Sequence, residues 1–288
     1  MFGAIVGDII GSVYEWHNIK TKDFPLFRED CRFTDDTVMT CAVAEGVMNG
    51  GTEDNFIDAM KKYGRMYPHA GYGGRFSHWL SSPYNRDPYN SFGNGSAMRV
   101  SPCAWVMDCG FYARTGLWPT NAYRLAERSA AVTHSHPEGV KGALAVTDAI
   151  FLSRFYFGGW AQDYKKPIDK DPEECKRRIR KHIERAHGYD LSRTLDEIRP
   201  DYAFDVTCQG SVPQAITAFL ESTDFEDAIR NAISIGGDSD TIAAIAGSIA
   251  EAAYGIPDSI REQAWLYLDD PLKDVVSRWE EYMAPRRG

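Results

Sequence analysis

Long hydrophobic runs are absent from this chain. No stretch of about 18 apolar residues occurs, so no membrane-spanning helix is expected. Excess positive charge is absent too. Thirty-two Lys and Arg face 41 Asp and Glu, for a net charge of −9 and a pI near 5.3. That balance argues against broad binding to a nucleic-acid backbone, which needs many cations. It leaves room for a small anionic ligand, because a pocket can present backbone N–H groups inside an acidic protein. Paired cysteine motifs are missing. Cys31, Cys41, Cys103, Cys109, Cys175 and Cys208 form no C-x-x-C pair and have no accompanying histidines at zinc spacing. They read as scattered reduced thiols, which points to a cytoplasmic protein. The apolar N-terminus lacks a basic flank and is interrupted by Asp8, so it makes a poor signal peptide. Clean strand alternation is scarce, and no repeat of solenoid length occurs.

What is present is helical periodicity. With 43% apolar residues and 12% aromatics, the chain can bury a sizeable core. The apolar spacing predicts helices over Asp36–Met48, Asn55–Tyr67, Ala122–Ser129, Val140–Phe155, Pro172–His187, Val212–Glu221, Phe225–Ser234 and Thr241–Tyr254. The expected fold is all-α, with residues 1–288 as one domain, since no boundary is visible. Tyr67–Asn94 is rich in Gly, Pro, Ser and Tyr and reads as a loop too long to lack a function. Gln162–Pro172 reads as a solvated connection into a charged surface helix. The segment Thr241–Tyr254 carries small residues nearly all round. A helix with so little bulk can sit deep, so it is expected at the centre.

Two short acidic motifs each open an apolar helix. They are Thr34-Asp35-Asp36-Thr37 and Asp238-Ser239-Asp240-Thr241. Each motif taken alone fits helix capping, since Asp and Thr accept the free N–H groups of a first turn. Capping, however, needs only one such oxygen, and extra carboxylates beside a buried helix repel one another unless a cation compensates. If the two motifs meet, their carboxylates and hydroxyls make a hard-oxygen site suited to Mg²⁺ or Mn²⁺. Spacing alone does not say whether they meet.

Five segments together resemble the ADP-ribosylglycohydrolase family. They are G-A-I-V-G-D-I-I-G-S-V-Y-E at 3–15, F-T-D-D-T at 33–37, S-F-G-N-G-S-A-M-R-V at 91–100, T-H-S-H-P-E-G at 133–139 and G-G-D-S-D-T at 236–241. They stand in the family's order and run nearly end to end. The resemblance implies a compact orthogonal helical bundle around a cleft holding two Mg²⁺ (or Mn²⁺) ions. It maps the metal ligands onto Thr34, Asp35, Asp36, Asp238, Asp240 and Thr241, leaving Thr37 and Ser239 to cap or support. Glu15 matches a glutamate in a loop over the metals. The run Tyr14-Glu15-Trp16-His17-Asn18 is more similar to the serine-linkage branch than to the arginine branch. Ser91, Phe92, Gly93, Asn94, Gly95 and Ser96 look like a pyrophosphate and ribose loop, with Phe92 as an aromatic lying against the ligand. A plain Gly-Asn turn is the alternative. His134 matches the histidine near the ADP-ribose, with His136 a neighbour. Arg99 is open between a buried ion pair and a charge partner of the acidic site. Asp8, expected to open the first helix, reads as a cap or a support behind the ligands.

The implied activity is metal-dependent cleavage of the bond between ADP-ribose and an acceptor, on a protein or a small molecule, releasing ADP-ribose. Glu15 would act as general base or water-positioning group, with Asp36 the competing candidate. No Ser-His-Asp or Cys-His set is apparent, so no covalent intermediate is expected. Two other classes stay open: a dinuclear-metal nucleotide phosphohydrolase, and a non-catalytic protein that binds ADP-ribose or a toxin in immunity.

Overall fold

The computed structural model describes residues 1–158 and 171–284. Most of the expected 162–172 connection therefore lies outside the described residues. Sixteen helices occur among the described residues, in an all-α arrangement whose only β feature there is an isolated bridge between Gly93 and Thr207. In chain order they are α1 (Phe2–Gly11), α2 (Asp35–Met48), α3 (Glu53–Met66), α4 (Gly74–Ser81), α5 (Gly95–Met98), α6 (Ser101–Trp105), α7 (Cys109–Thr115) and α8 (Thr120–Ala131). The second half adds α9 (Pro137–Phe157), α10 (Pro172–His187), α11 (Leu195–Ile198), α12 (Cys208–Leu220), α13 (Phe225–Ser234), α14 (Ser239–Tyr254), α15 (Asp258–Leu266) and α16 (Asp270–Met283).

The small-residue helix α14 is central, as its composition implied: 13 of its 16 residues are buried. It lies against α1, α9, α12 and α13. Its contact with α1 is backbone on backbone. A Cβ on Gly7 would stand 2.0 Å from the Ala243 carbonyl oxygen, and one on Gly3 would stand 2.3 Å from the Gly247 oxygen. Only glycine fits there, because interiors are close-packed and no flexible side chain is available to yield. This ridge brings Asp8 of α1 alongside the N-terminus of α14, where a Cβ on Gly11 would meet the Cα of Asp240 at 2.5 Å.

Three expectations need correction. Asp8 does not open α1. The helix starts at Phe2, and Asp8 sits inside it, fully buried. The segment 67–94 is not all loop. It contains α4, which buries Phe76, Trp79 and Leu80 on one face, a pattern masked in sequence by Gly71, Gly73 and Gly74 on its N-terminal side. Two C-terminal helices, α15 and α16, stand outside the segments expected from periodicity, although α16 buries Leu272, Val275, Val276, Trp279 and Met283. Expected boundaries also move. Helix α12 begins four residues earlier than expected, at Cys208, and carries Pro213 inside it.

Candidate functional site

The two acidic motifs meet. The Thr241 hydroxyl donates to Asp36 Oδ2 at 3.2 Å, across 205 residues of sequence. Thr34 caps α2 conventionally, its side chain accepting from Asp36 N. Asp238 stands at the cap position of α14 yet makes no capping bond. It accepts instead from Asn94 Nδ2 at 2.6 Å, and its carboxyl shares a hydrogen bond with that of Asp240. Capping therefore does not account for these acids.

Asp8 organises the first motif from behind. Its carboxylate accepts from the backbone N–H and hydroxyl of Thr34, and from the backbone N–H and hydroxyl of Thr37. It thus caps α2 from a different helix and fixes the start of that helix onto α1. The second motif is set by its glycines. Gly236 and Gly237 both take left-handed φ values, 70° and 78°, which side chains rarely adopt. Asn18 ties this turn to the Glu15 turn. Its Nδ2 donates to the Tyr14, Glu15 and Gly237 carbonyls, and its Oδ1 accepts from Gly237 N.

The electrostatics are strained in the way a cation would relieve. Burial, then Asp240 and Asp8, push Asp35 and Asp36 well above the usual carboxylate range. Burial and Asp238 do the same to Asp240, and burial lifts Asp238 to about 6. Half-buried Glu15 is raised to about 7, by desolvation first and then by Asp240. Asp36 Oδ1 is buried with no hydrogen-bond partner. One oxygen each from Asp8, Asp36 and Asp240 lie within 4.8 Å of one another, as do those of Glu15, Asp238 and Asp240. An orphaned carboxylate oxygen among converging oxygen donors fits a hard divalent cation.

These acids line one side of a cavity of about 410 Å³, a size suited to a small-molecule ligand. Glu15, Asp35, Asp36, Asp238, Asp240 and Thr241 all reach its wall, together with Ser91, Gly93, Asn94, Gly95 and His134. Thr34, Phe92 and Ser96 are not part of that wall. Thr34 lies behind it against Asp8. Ser96 is buried and donates to the Gly139 carbonyl. Phe92 is 43% exposed and sits edge-on to His136 at 5.4 Å. His136 caps α9, accepting from Glu138 N.

The 91–96 loop is held by residues 205–208: Asn94 N donates to Val206 O, and Cys208 N to Phe92 O. His134 follows from Arg99. That arginine donates to the Ser129 carbonyl and to Thr133 Oγ1, and among the described residues it forms no ion pair with a carboxylate of either motif. Thr133 Oγ1 accepts from Arg99 and shares a 2.8 Å hydrogen bond with His134 Nδ1, which fixes the ring in place. Burial, with Arg99 and Arg75, holds His134 neutral. Its Nε2 edge faces Gly93 and Gly95.

Cavity-wall residues that motif reasoning missed include Arg75, Tyr89, Phe204 and Val206. The first two lie in the long 67–94 segment, whose length was the available signal. Phe204 stacks on the exposed Trp16 at 5.2 Å, and no sequence pattern flags that pairing.

Fold and site together define an all-helical protein with a ligand-sized cleft floored by carboxylates from opposite ends of the chain. The chain belongs to the ADP-ribosylglycohydrolase family, whose model matches residues 1–284. It is 28% identical to ADP-ribosylhydrolase ARH3 of Mus musculus, covering 89% of this chain and 84% of that protein. It is 25% identical to ADP-ribosylarginine hydrolase Tri1 of Pseudomonas putida, covering 92% of this chain and 73% of that one. A solved structure described as an ADP-ribosylglycohydrolase-related protein complex has the same fold, with a TM-score of 0.62 at 23% identity, over 96% of this chain and 95% of that chain.

Proposed function

We propose that this protein hydrolyses the glycosidic bond between ADP-ribose and an acceptor, releasing ADP-ribose, with two Mg²⁺ or Mn²⁺ ions in the cleft. The acceptor is a protein side chain or a small molecule. The observation that carries this reading is the meeting of the two acidic motifs beside a ligand-sized cavity. Family membership and the names of the relatives support the reaction class. Thr34, Asp35, Asp36, Asp238, Asp240 and Thr241 would hold the ions, with Asp8 orienting Thr34 from behind. When bound, such ions supply Lewis acidity toward ribose hydroxyls and water.

The chain's own groups do the rest. Glu15 stands at the cavity wall with its oxygen near Asp238 and Asp240, where it takes the proton of the attacking water or positions that water. Asp36 is the competing base. The neutral His134 presents Nε2 toward the Gly93–Gly95 backbone edge, where the pyrophosphate and ribose of the ligand would lie. Ser91, Gly93, Asn94 and Gly95 let that ligand approach the backbone closely. Phe92 and Ser96 serve the same loop from outside the wall, as rim and as anchor. Asn94 links the loop to the acids through Asp238.

The test is a set of ADP-ribosylated substrates with serine, arginine, nucleobase and metabolite linkages, assayed in Mg²⁺, Mn²⁺ and EDTA. Intact ADP-ribose should appear from at least one linkage, only with metal. Release of AMP in its place would make the protein a phosphohydrolase. Full turnover in EDTA would overturn the metal assignment.

A further inference from the structure

A second cluster of metal-binding side chains lies outside the cleft, between α9 and α10. Asp148 of α9 is 2% exposed. His182 Nε2 and His187 Nε2, both from α10, approach the same oxygen of it, Oδ2, at 3.1 and 2.7 Å. One ligand atom from each of the three residues lies within 4.8 Å of the others. None of the three lines the cleft cavity. Asp148 is 12 residues along α9 from His136, about 18 Å at the helical rise.

Simple hydrogen bonding explains the cluster incompletely. Both imidazoles crowd Oδ2, while Asp148 Oδ1 is buried with no hydrogen-bond partner. Buried carboxylate oxygens are normally satisfied, so the empty one calls for a ligand. Two imidazoles and a carboxylate are the donor set of Zn²⁺ and related transition dications, not of Mg²⁺. The N···O separations of 3.1 and 2.7 Å are hydrogen-bond lengths, and they keep the three ligand atoms close enough to close around one ion with a small outward shift. The surroundings hold the ligands in place. The Trp118 ring lies flat on His182, 8° from parallel at 5.2 Å. His187 is the last residue of α10, where the helix carbonyls favour positive charge. His182 is one-third exposed, which gives an ion and a water a way in.

We propose that Asp148, His182 and His187 form a Zn²⁺-class site, with water as fourth ligand, that clips α10 onto α9. The site is structural and independent of the cleft chemistry.

The test uses the full chain in saturating Mg²⁺, which occupies any hard-oxygen site, titrated with Co²⁺ as a spectroscopic probe. One equivalent should give the intense visible absorption of a four-coordinate ion, and Zn²⁺ should displace it. His182→Gln, at a partly exposed position that tolerates change, should weaken binding at least tenfold, and Asp148→Asn should abolish the band. Asp36→Asn in the cleft should leave the band intact. Zn²⁺ should also raise the Tm of the wild type above its value in Mg²⁺ alone, and not that of His182→Gln. The assignment is overturned if the wild type shows no such band, if both His182→Gln and His187→Gln retain it, or if Asp36→Asn removes it.

Discussion

Four donors converge on the carboxylate of Asp8, two of them backbone N–H groups at the start of another helix. Asp8→Ala would leave those N–H groups buried and unpartnered. Each such loss costs about 1–3 kcal/mol, so chemical denaturation should show a destabilisation of that order or more. Thr34 and Asp36 would lose their register as well, so activity should fall beyond what the lost stability explains. Glu15 is a different case. It makes no structural bond through its side chain to the motifs, yet it shares their space. Glu15→Gln should therefore fold normally and lose about 10²–10⁴-fold in kcat with little change in KM, as expected for removal of a general base. Wild-type turnover in that variant would transfer the role to Asp36.

At the scale of elements, the contact between α1 and α14 decides the site. Both helices are almost wholly buried, and their glycines let the backbones touch. Gly7→Ala places a methyl 2.0 Å from the Ala243 carbonyl oxygen, where only backbone movement can make room. Overpacking of this kind costs about 1–3 kcal/mol, and separating the helices would also draw Asp8 away from Asp240. The variant should thus show a lowered Tm and weakened Mg²⁺ binding together. Lowered Tm with unchanged Mg²⁺ affinity would mean that the ridge serves packing alone. Another tie acts away from the cleft. Glu45 of α2 binds Lys62 and Tyr63 of α3 and Arg278 of α16, which anchors the C-terminal helix that periodicity did not single out.

For the whole molecule, the acid cluster links stability to pH and to metal. Asp35, Asp36 and Asp240 have folded pKa values raised well above their ordinary ones, Asp238 titrates near 6 and Glu15 near 7. A raised carboxylate contributes stability below its unfolded pKa and loses it as pH climbs through the folded value. Without metal, Asp238 and Glu15 therefore weaken the fold as pH climbs through about 6 and about 7, and the three buried aspartates act in the same direction. His134 acts oppositely. Its lowered pKa costs stability as pH falls below about 6.5. That contribution is common to metal-free and metal-bound protein and cancels in their difference. The Tm gain on adding Mg²⁺ should accordingly be larger at pH 8 than at pH 5.5. At about 100-fold excess over Kd it should reach about 5–10 °C at the higher pH. An equal gain at both pH values would show that the ions do not bind this cluster.

Much of this was legible in the chain itself. The 3.6-residue periodicity gave α10 and α13 to the residue, and the small-residue pattern placed α14 at the centre. The five motifs contained nearly every residue of the acidic floor. Less legible were short or glycine-flanked elements such as α4, whose apolar face spans only three buried residues. The position of Asp8 was misjudged because its partners, Thr34 and Thr37, lie 26 and 29 residues away and belong to another helix. Phe204 and Val206 reach the cavity from a segment with no motif at all.

Sequence alone determined the local chemistry: which segments coil, which carry oxygen donors at their starts, and which glycines permit close approach. These follow from properties of neighbouring residues, such as side-chain volume, apolar spacing and cap preference. Only the tertiary structure decided that residues 34–36 and 238–241 share one cavity, that Asp8 braces α2 from α1, and that Asp148 faces two histidines of another helix. Such meetings depend on how helices with complementary surfaces pack against one another across long stretches of chain, a geometry that no local window contains.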